Sequence, residues 1–325
     1  MVSYPKKITA YAFLLIISIN AYGMSRALNT MKSHVARSPK TALALGATLG
    51  MTGLSQVYIP AATFGKTTSN NKVVTVASHG LGANKEQTFG YHTQSGNPNA
   101  FIEGRLETFD YDDVHNPNSS CLGQEADINK LHENTQKHKD CNLFGWSRGA
   151  VAIANYAGTR LPQNVGAMIL ESPFDDIKSV VQHKTGFASL ASGIGLVATN
   201  HNPNGIQPIK VAHSVDLDQP MLIYCSKEDS LIPAKSSIEY YNALRRTGHH
   251  KVHLLVVDRG AHANIINGPD GQIVRNVIHA FLKDHNRPYN AEWAKAGQER
   301  YKQCQPSCVP DSKPKKSSWF SSLSS

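Results

Sequence analysis

Apolar residues in the middle of the chain fall into two kinds of pattern. Short continuous runs occur at "KVVTVASHG" (72–80), "CNLFGWS" (141–147), "VGAMILESP" (165–173), "PMLIYCSKED" (220–229) and "KVHLLVVDRGAH" (251–262). Runs of this length, rich in β-branched residues and closed by Gly or polar loops, predict strands buried on both faces. "NAFIEGRLETFDYDD" (99–113) predicts a further strand entering a loop. Between these runs the apolar positions recur at helical spacing. "GQEADINKLHENTQK" (123–137) has Ala126, Ile128 and Leu131 on one side, and "RGAVAIANYAG" (148–158) gathers small residues. "AKSSIEYYNALRRTG" (234–248) stops at a glycine, and "GQIVRNVIHAFLKDH" (271–285) is amphipathic. Buried strands alternating with helices require a mostly parallel sheet covered on both faces, the α/β class.

The ends of the chain read differently. "MVSYPKK" is a short positive stretch, and "ITAYAFLLIISINAYG" follows without a charge. Its most apolar part is about a dozen residues, which suits the h-region of an export signal better than a span of about 20. Residues 1–24 are therefore expected to be a signal peptide or membrane anchor, with Ala21 and Gly23 as small residues for cleavage. The chain is expected to be exported or membrane-anchored. Residues 25–65 contain a weaker apolar stretch (41–64) that suits a second membrane segment, a surface helix or the start of the fold. The main domain is placed at 66–290 and a polar C-terminal tail at 291–325, its last part Ser- and Lys-rich.

Charge and cysteine content remove several classes of function. The formal charge is +9, but much of the basic excess lies at the two ends. No basic stripe interleaved with aromatics runs through the middle, so nucleic-acid binding is not expected. The basic N-terminus instead favours association with an anionic membrane surface. The 5 cysteines are few and odd in number. Cys121 with Cys141, or Cys304 with Cys308, would suit a disulfide in an oxidising compartment, while Cys225 reads as a small buried apolar residue. No ligand-spaced cluster of His, Cys and carboxylates appears, so neither a metal nor a cofactor is expected.

The chemistry gathers around Gly145-Trp146-Ser147-Arg148-Gly149, where a strand is predicted to become a helix. A serine held between two glycines at such a turn is a nucleophile elbow. G-x-S-x-G alone arises by chance roughly once in ten chains of this length, so the motif needs support. The support is positional. In open parallel sheets functional groups collect at the carboxyl ends of strands. Four predicted strand ends carry His79-Gly80, Ser147, Asp229 and His262, and Ser, then Asp, then His is the α/β-hydrolase order.

With "SHGLGAN", "FGWSRGA", "LESPFDDI", "SKEDSLIP" and "DRGAHANI", the sequence resembles an α/β-hydrolase-fold serine hydrolase over about residues 72–285. It is nearest to the single-domain branch of prolyl-oligopeptidase-like and acyl-protein-thioesterase-like enzymes. The resemblance implies hydrolysis of an ester, thioester or amide through an acyl-enzyme, and names no substrate beyond a small molecule, acyl group or peptide. Ser147 would be the nucleophile, His262 the general base and Asp229 the acid that orients it. The spacing from Asp229 to Pro233 resembles the family's acid loop and favours Asp229 over Glu228 and Asp258. His79 would belong to the oxyanion loop. The backbone N–H groups of Leu81 and Arg148 would form the oxyanion hole. A leucine stands where relatives often have a polar residue, which changes pocket polarity but not a backbone donor. Trp146 is expected to pack beside the elbow. Residues 178–218 are irregular and suit a small cap. Two other classes stay open: a hydrolase fold used as an inactive binding module, and a membrane-tethered interaction protein.

Overall fold

A computed structural model describes residues 73–86, 102–113, 120–177, 180 and 201–304. The expected export or anchor segment, residues 25–65, Cys308, the end of the chain and most of the expected cap lie outside the described residues. Among the described residues, six strands form one parallel sheet in the order β2-β1-β3-β4-β5-β6. They are β1 (Val74–Ser78), β2 (Arg105–Thr108), β3 (Cys141–Trp146), β4 (Val165–Glu171), β5 (Met221–Ser226) and β6 (Val252–Val257). The order reverses between β1 and β3. The carboxyl ends of those two strands therefore flank the switch point at which ligands bind in open α/β sheets.

Alternate residues of each central strand serve opposite faces, because a strand's side chains have period two. Leu143, Met168, Leu170, Met221 and Ile223 pack with Ile128, Leu131, Ile153, Tyr156, Tyr240 and Leu244. Those partners come from α1 (Glu125–Thr135), α2 (Arg148–Arg160) and, beyond α3 (Pro208–Val211), from α4 (Ala234–Arg246). Phe144, Ile169, Leu222 and Leu255 face the other way, onto Val274, Val277, Ile278 and Phe281 of α5 (Gly271–Asp284). Both faces are covered, which is why the strands read as continuous apolar runs. The sheet, its order and its helices make this the α/β-hydrolase fold.

Three local features depart from the expectations. β2 is only 4 residues long, with its first residue exposed and the others half-buried, so its polar sequence reflects an edge position. Residues 291–304, expected to begin a polar tail, form helix α6 (Ala291–Cys304) against α5. Its buried residues are Ala294, Gly297, Tyr301 and Cys304, a stripe too narrow to stand out in a polar sequence. A Cβ on Gly297 would overlap the backbone of Asn276 on α5, so the helices approach backbone to backbone there. Finally, Cys121 and Cys141 are free thiols, as are Cys225 and Cys304. The first pair therefore makes no disulfide, and the second lacks a described partner. No helix among the described residues is long and apolar enough to cross a membrane.

Several histidines fill core positions. His249 and His279 are fully buried and His253 is 4% exposed. Burial disfavours their charged forms, pushing His249 and His279 down to about 4 and His253 to about 3. Below about pH 6.5 the unfolded chain takes up protons that the folded chain refuses, so stability falls from pH 6.5 toward pH 4. Each such group contributes about 1.4 kcal/mol per pH unit in that window. Thermal unfolding followed from pH 7.5 to 4.5 should show the melting temperature falling on the acid side. His279 Nδ1 accepts the Asn290 N–H at 2.9 Å. His279→Asn retains an acceptor without a titrating ring and should flatten the slope by about one proton. A wild-type melting temperature unchanged down to pH 4.5 would contradict this account.

Candidate active site

Every sequence-derived site residue lies at the carboxyl end of the sheet. Ser147 follows β3 and precedes α2 with φ 55° and ψ −121°. A non-glycine residue in this region costs about 1–3 kcal/mol and persists only where its surroundings enforce it. The two glycines of the motif show the enforcement. A Cβ on Gly145 would come within 2.6 Å of the Gly149 backbone, and one on Gly149 would overlap the Ser78 carbonyl of β1. The Ser147 N–H donates to the Glu171 carbonyl at the end of β4 (2.9 Å), fixing the turn from the other side. Trp146 lies against Gly80, where a Cβ would overlap its ring, so the indole does pack beside the elbow.

Asp229 and His262 are brought together from the loops after β5 and β6. His262 Nδ1–H donates to Asp229 Oδ2 at 2.8 Å, with the carboxylate fully buried and the imidazole 9% exposed. The other oxygen, Oδ1, accepts the Leu231 and Ile232 N–H groups at 2.9 and 2.8 Å. Ser172, after β4, donates its hydroxyl to Oδ2 at 2.9 Å. Together these four donors hold the Asp229 carboxylate in one orientation. The two rival acids are engaged elsewhere. Asp258 pairs with Lys227 at the surface (2.7 Å), and Glu228 Oε2 accepts the Gly260 N–H (3.3 Å). Among the described residues no hydrogen bond joins the Ser147 hydroxyl to His262. Such bonds are often long before substrate arrives.

His79 is buried, donating from Nδ1 to the Gly80 carbonyl (2.8 Å) and accepting the Tyr111 N–H at Nε2 (3.3 Å). Burial lowers its pKa, so it stays neutral and braces the loop that carries Leu81. Leu81 is half-buried in the turn after β1 and packs against Leu122, Val151, Phe174, Ile177, Val180 and Ile232, a third apolar cluster. Of the expected cap, the described part is a short helix, α3, and a 3-10 turn at Ala212–Ser214.

Three features of the site were not foreseen. Besides Ser172, Tyr224 of β5 donates its hydroxyl to Glu171 Oε2 (2.7 Å), and both residues are fully buried. The third is the side chain of Arg148. Its guanidinium binds Asp127 through two hydrogen bonds (2.7 and 2.6 Å) and Asp113 through one (2.7 Å). It also lies 4.2 Å from the centre of the Tyr111 ring. Burial works to lower the Arg148 pKa, but the hydrogen bonds and charge of Asp127 outweigh it, so the net shift is upward.

Residues 129–288 match the profile of the prolyl oligopeptidase family. The chain has the α/β-hydrolase fold and is similar to that family over those residues. No curated protein sequence matches it. Solved structures with a similar fold include an esterase of Pyrococcus furiosus, 15% identical, covering 66% of this chain and 84% of that one, at a TM-score of 0.49. An acylaminoacyl peptidase of Pyrococcus horikoshii is 19% identical over 70% of this chain at 0.49, and the match spans only 39% of the peptidase. A monoacylglycerol lipase of Paleococcus ferrophilus is 15% identical, covering 65% of this chain and 94% of that one, at 0.45. The family profile ends at residue 288, whereas the observed fold continues through α6.

Proposed function

We propose that the chain hydrolyses an ester, thioester or amide through an acyl-enzyme on Ser147. The observation that carries this reading is the buried Asp229–His262 pair (2.8 Å) at the same end of the sheet as the strained Ser147. His262 keeps its Nδ1 proton and donates that N–H to Asp229 as a hydrogen bond, which leaves Nε2 as the base. Ser147 Oγ attacks the carbonyl carbon while Nε2 takes its proton. The carbonyl π electrons move onto oxygen, and the backbone N–H groups of Arg148 and Leu81 stabilise the oxyanion. When the tetrahedral intermediate collapses, the bond to the leaving group breaks and imidazolium returns the proton to the departing oxygen, sulfur or nitrogen. Water, deprotonated by the same nitrogen, then repeats the sequence on the acyl-serine and releases the acid.

The test is labelling of the full chain by a fluorophosphonate, with mass spectrometry of the modified peptide. Turnover of p-nitrophenyl esters of increasing chain length, thioesters and aminoacyl amides then identifies the bond cleaved. A single adduct on Ser147, absent after heat denaturation, is expected. Folded protein that takes no adduct would return the reading to a hydrolase fold used for binding.

A further inference from the structure

The dipeptide Glu171-Ser172, at the end of β4, touches both halves of the site. The Glu171 carbonyl accepts the N–H of Ser147, and the Ser172 hydroxyl donates to Asp229 Oδ2, each at 2.9 Å. Ser172 is fully buried, and its own N–H donates to the Tyr224 carbonyl at 2.9 Å. Its φ is 47°, a left-handed conformation in which a side chain is strained and glycine is not. Pro173 follows and further restricts the backbone before it. A glycine would therefore suit this backbone better than serine, yet the serine hydroxyl is spent on one atom, the oxygen that also accepts His262 Nδ1–H.

We infer that Ser172 is a positioning residue for the catalytic pair. It fixes the rotation of the Asp229 carboxylate about its Cβ–Cγ bond and, through Oδ2, the plane of the His262 ring. The logic is geometric. Oδ1 is held by two backbone N–H groups of its own loop, so those bonds move with the acid loop if it shifts. The Ser172 bond comes from a different strand end, the one that also holds the Ser147 N–H. It therefore ties the acid to the nucleophile's frame and not merely to its own loop. This inference rests on the reading of Asp229 as the orienting acid.

Two variants test it on the ester that wild type hydrolyses. Ser172→Ala removes the hydroxyl and keeps the strain; Ser172→Gly removes the hydroxyl and relieves the strain. In both, kcat should fall about ten-fold, the scale set by losing a hydrogen bond to a charged group, with KM within two-fold of wild type. The melting temperature of the glycine variant should exceed that of the alanine variant, which keeps the strain. A merely structural role predicts the opposite split, with kcat retained wherever stability is retained. Both kcat values within two-fold of wild type would overturn the inference, as would a kcat loss that follows the melting temperature, large in the alanine variant and absent in the more stable glycine variant. Should wild type itself neither turn over esters nor label with a fluorophosphonate, the proposed function fails instead. If Ser172→Ala does not fold, the glycine variant decides alone.

Discussion

Ser147→Ala and His262→Ala are each expected to lower kcat by about a million-fold, and Asp229→Asn by about ten-thousand-fold. The difference follows from what each group does in the proposed mechanism. Without Ser147 no acyl-enzyme forms, and without His262 nothing removes the hydroxyl proton. Asp229 transfers no proton; its carboxylate sets a tautomer. The bonds around it predict how asparagine would fail. Oδ1 faces two backbone donors, so the asparagine carbonyl must stay there. The amide nitrogen then replaces Oδ2 and points its hydrogens at His262 Nδ1 and Ser172 Oγ, the positions of the two former donors. The serine hydroxyl rotates to accept. The imidazole answers only by moving its proton to Nε2, the nitrogen that has to be a base. Turnover of one activated ester by the three variants, with circular dichroism to establish folding, checks the ranking. Equal losses for Asp229→Asn and Ser147→Ala would mean that Asp229 does more than orient. Full activity of Ser147→Ala would remove the serine from the mechanism.

The parts of this site that a reader of sequence could find are those that strand ends impose. The strand before Ser147 is a continuous apolar run because helices cover both faces, and the glycines mark where backbone approaches backbone. The Ser-Asp-His order is a property of the chain, so it is visible without coordinates. What stays hidden is what depends on the direction of a side chain. Ser172 lies 57 residues before Asp229, and its role comes from a positive φ that serine seldom adopts. Nothing in "LESPF" announces that torsion. Asp127 reads as an acid in the first turn of a helix, where carboxylates are common for reasons of the helix dipole alone. That it is buried and bidentate to Arg148 follows from packing of α1 against α2, and spacing does not reveal it. Helix α6 was missed because a polar helix with one buried tyrosine and three small contacts carries little periodic signal.

The buried Arg148–Asp127 pair should be among the most costly places in the fold to break. Both side chains are 3% exposed, so neither charge has water to fall back on. Asp127→Ala removes two of the guanidinium's hydrogen bonds and also the acceptor of the Gly123 N–H (2.6 Å). Asp113 remains at 2.7 Å but binds only one nitrogen. Removing one partner of a buried pair typically costs about 3–5 kcal/mol, most of it from the charge left behind. At about 2–4 °C per kcal/mol for a domain of this size, the melting temperature should drop by about 10 °C. The diagnostic is the double variant. Arg148→Met with Asp127→Leu removes both charges of the pair, which is often neutral, but it leaves the buried Asp113 without its cation and the Gly123 N–H without its acceptor. It should therefore recover part of the stability that Asp127→Ala loses. Recovery of activity is a separate matter: the Arg148 N–H survives any side-chain change, and the site should still label with a fluorophosphonate if the elbow keeps its shape. Differential scanning calorimetry of the three proteins gives the answer. A double variant no more stable than Asp127→Ala would show that the pair is needed for its geometry, beyond compensating its own desolvation.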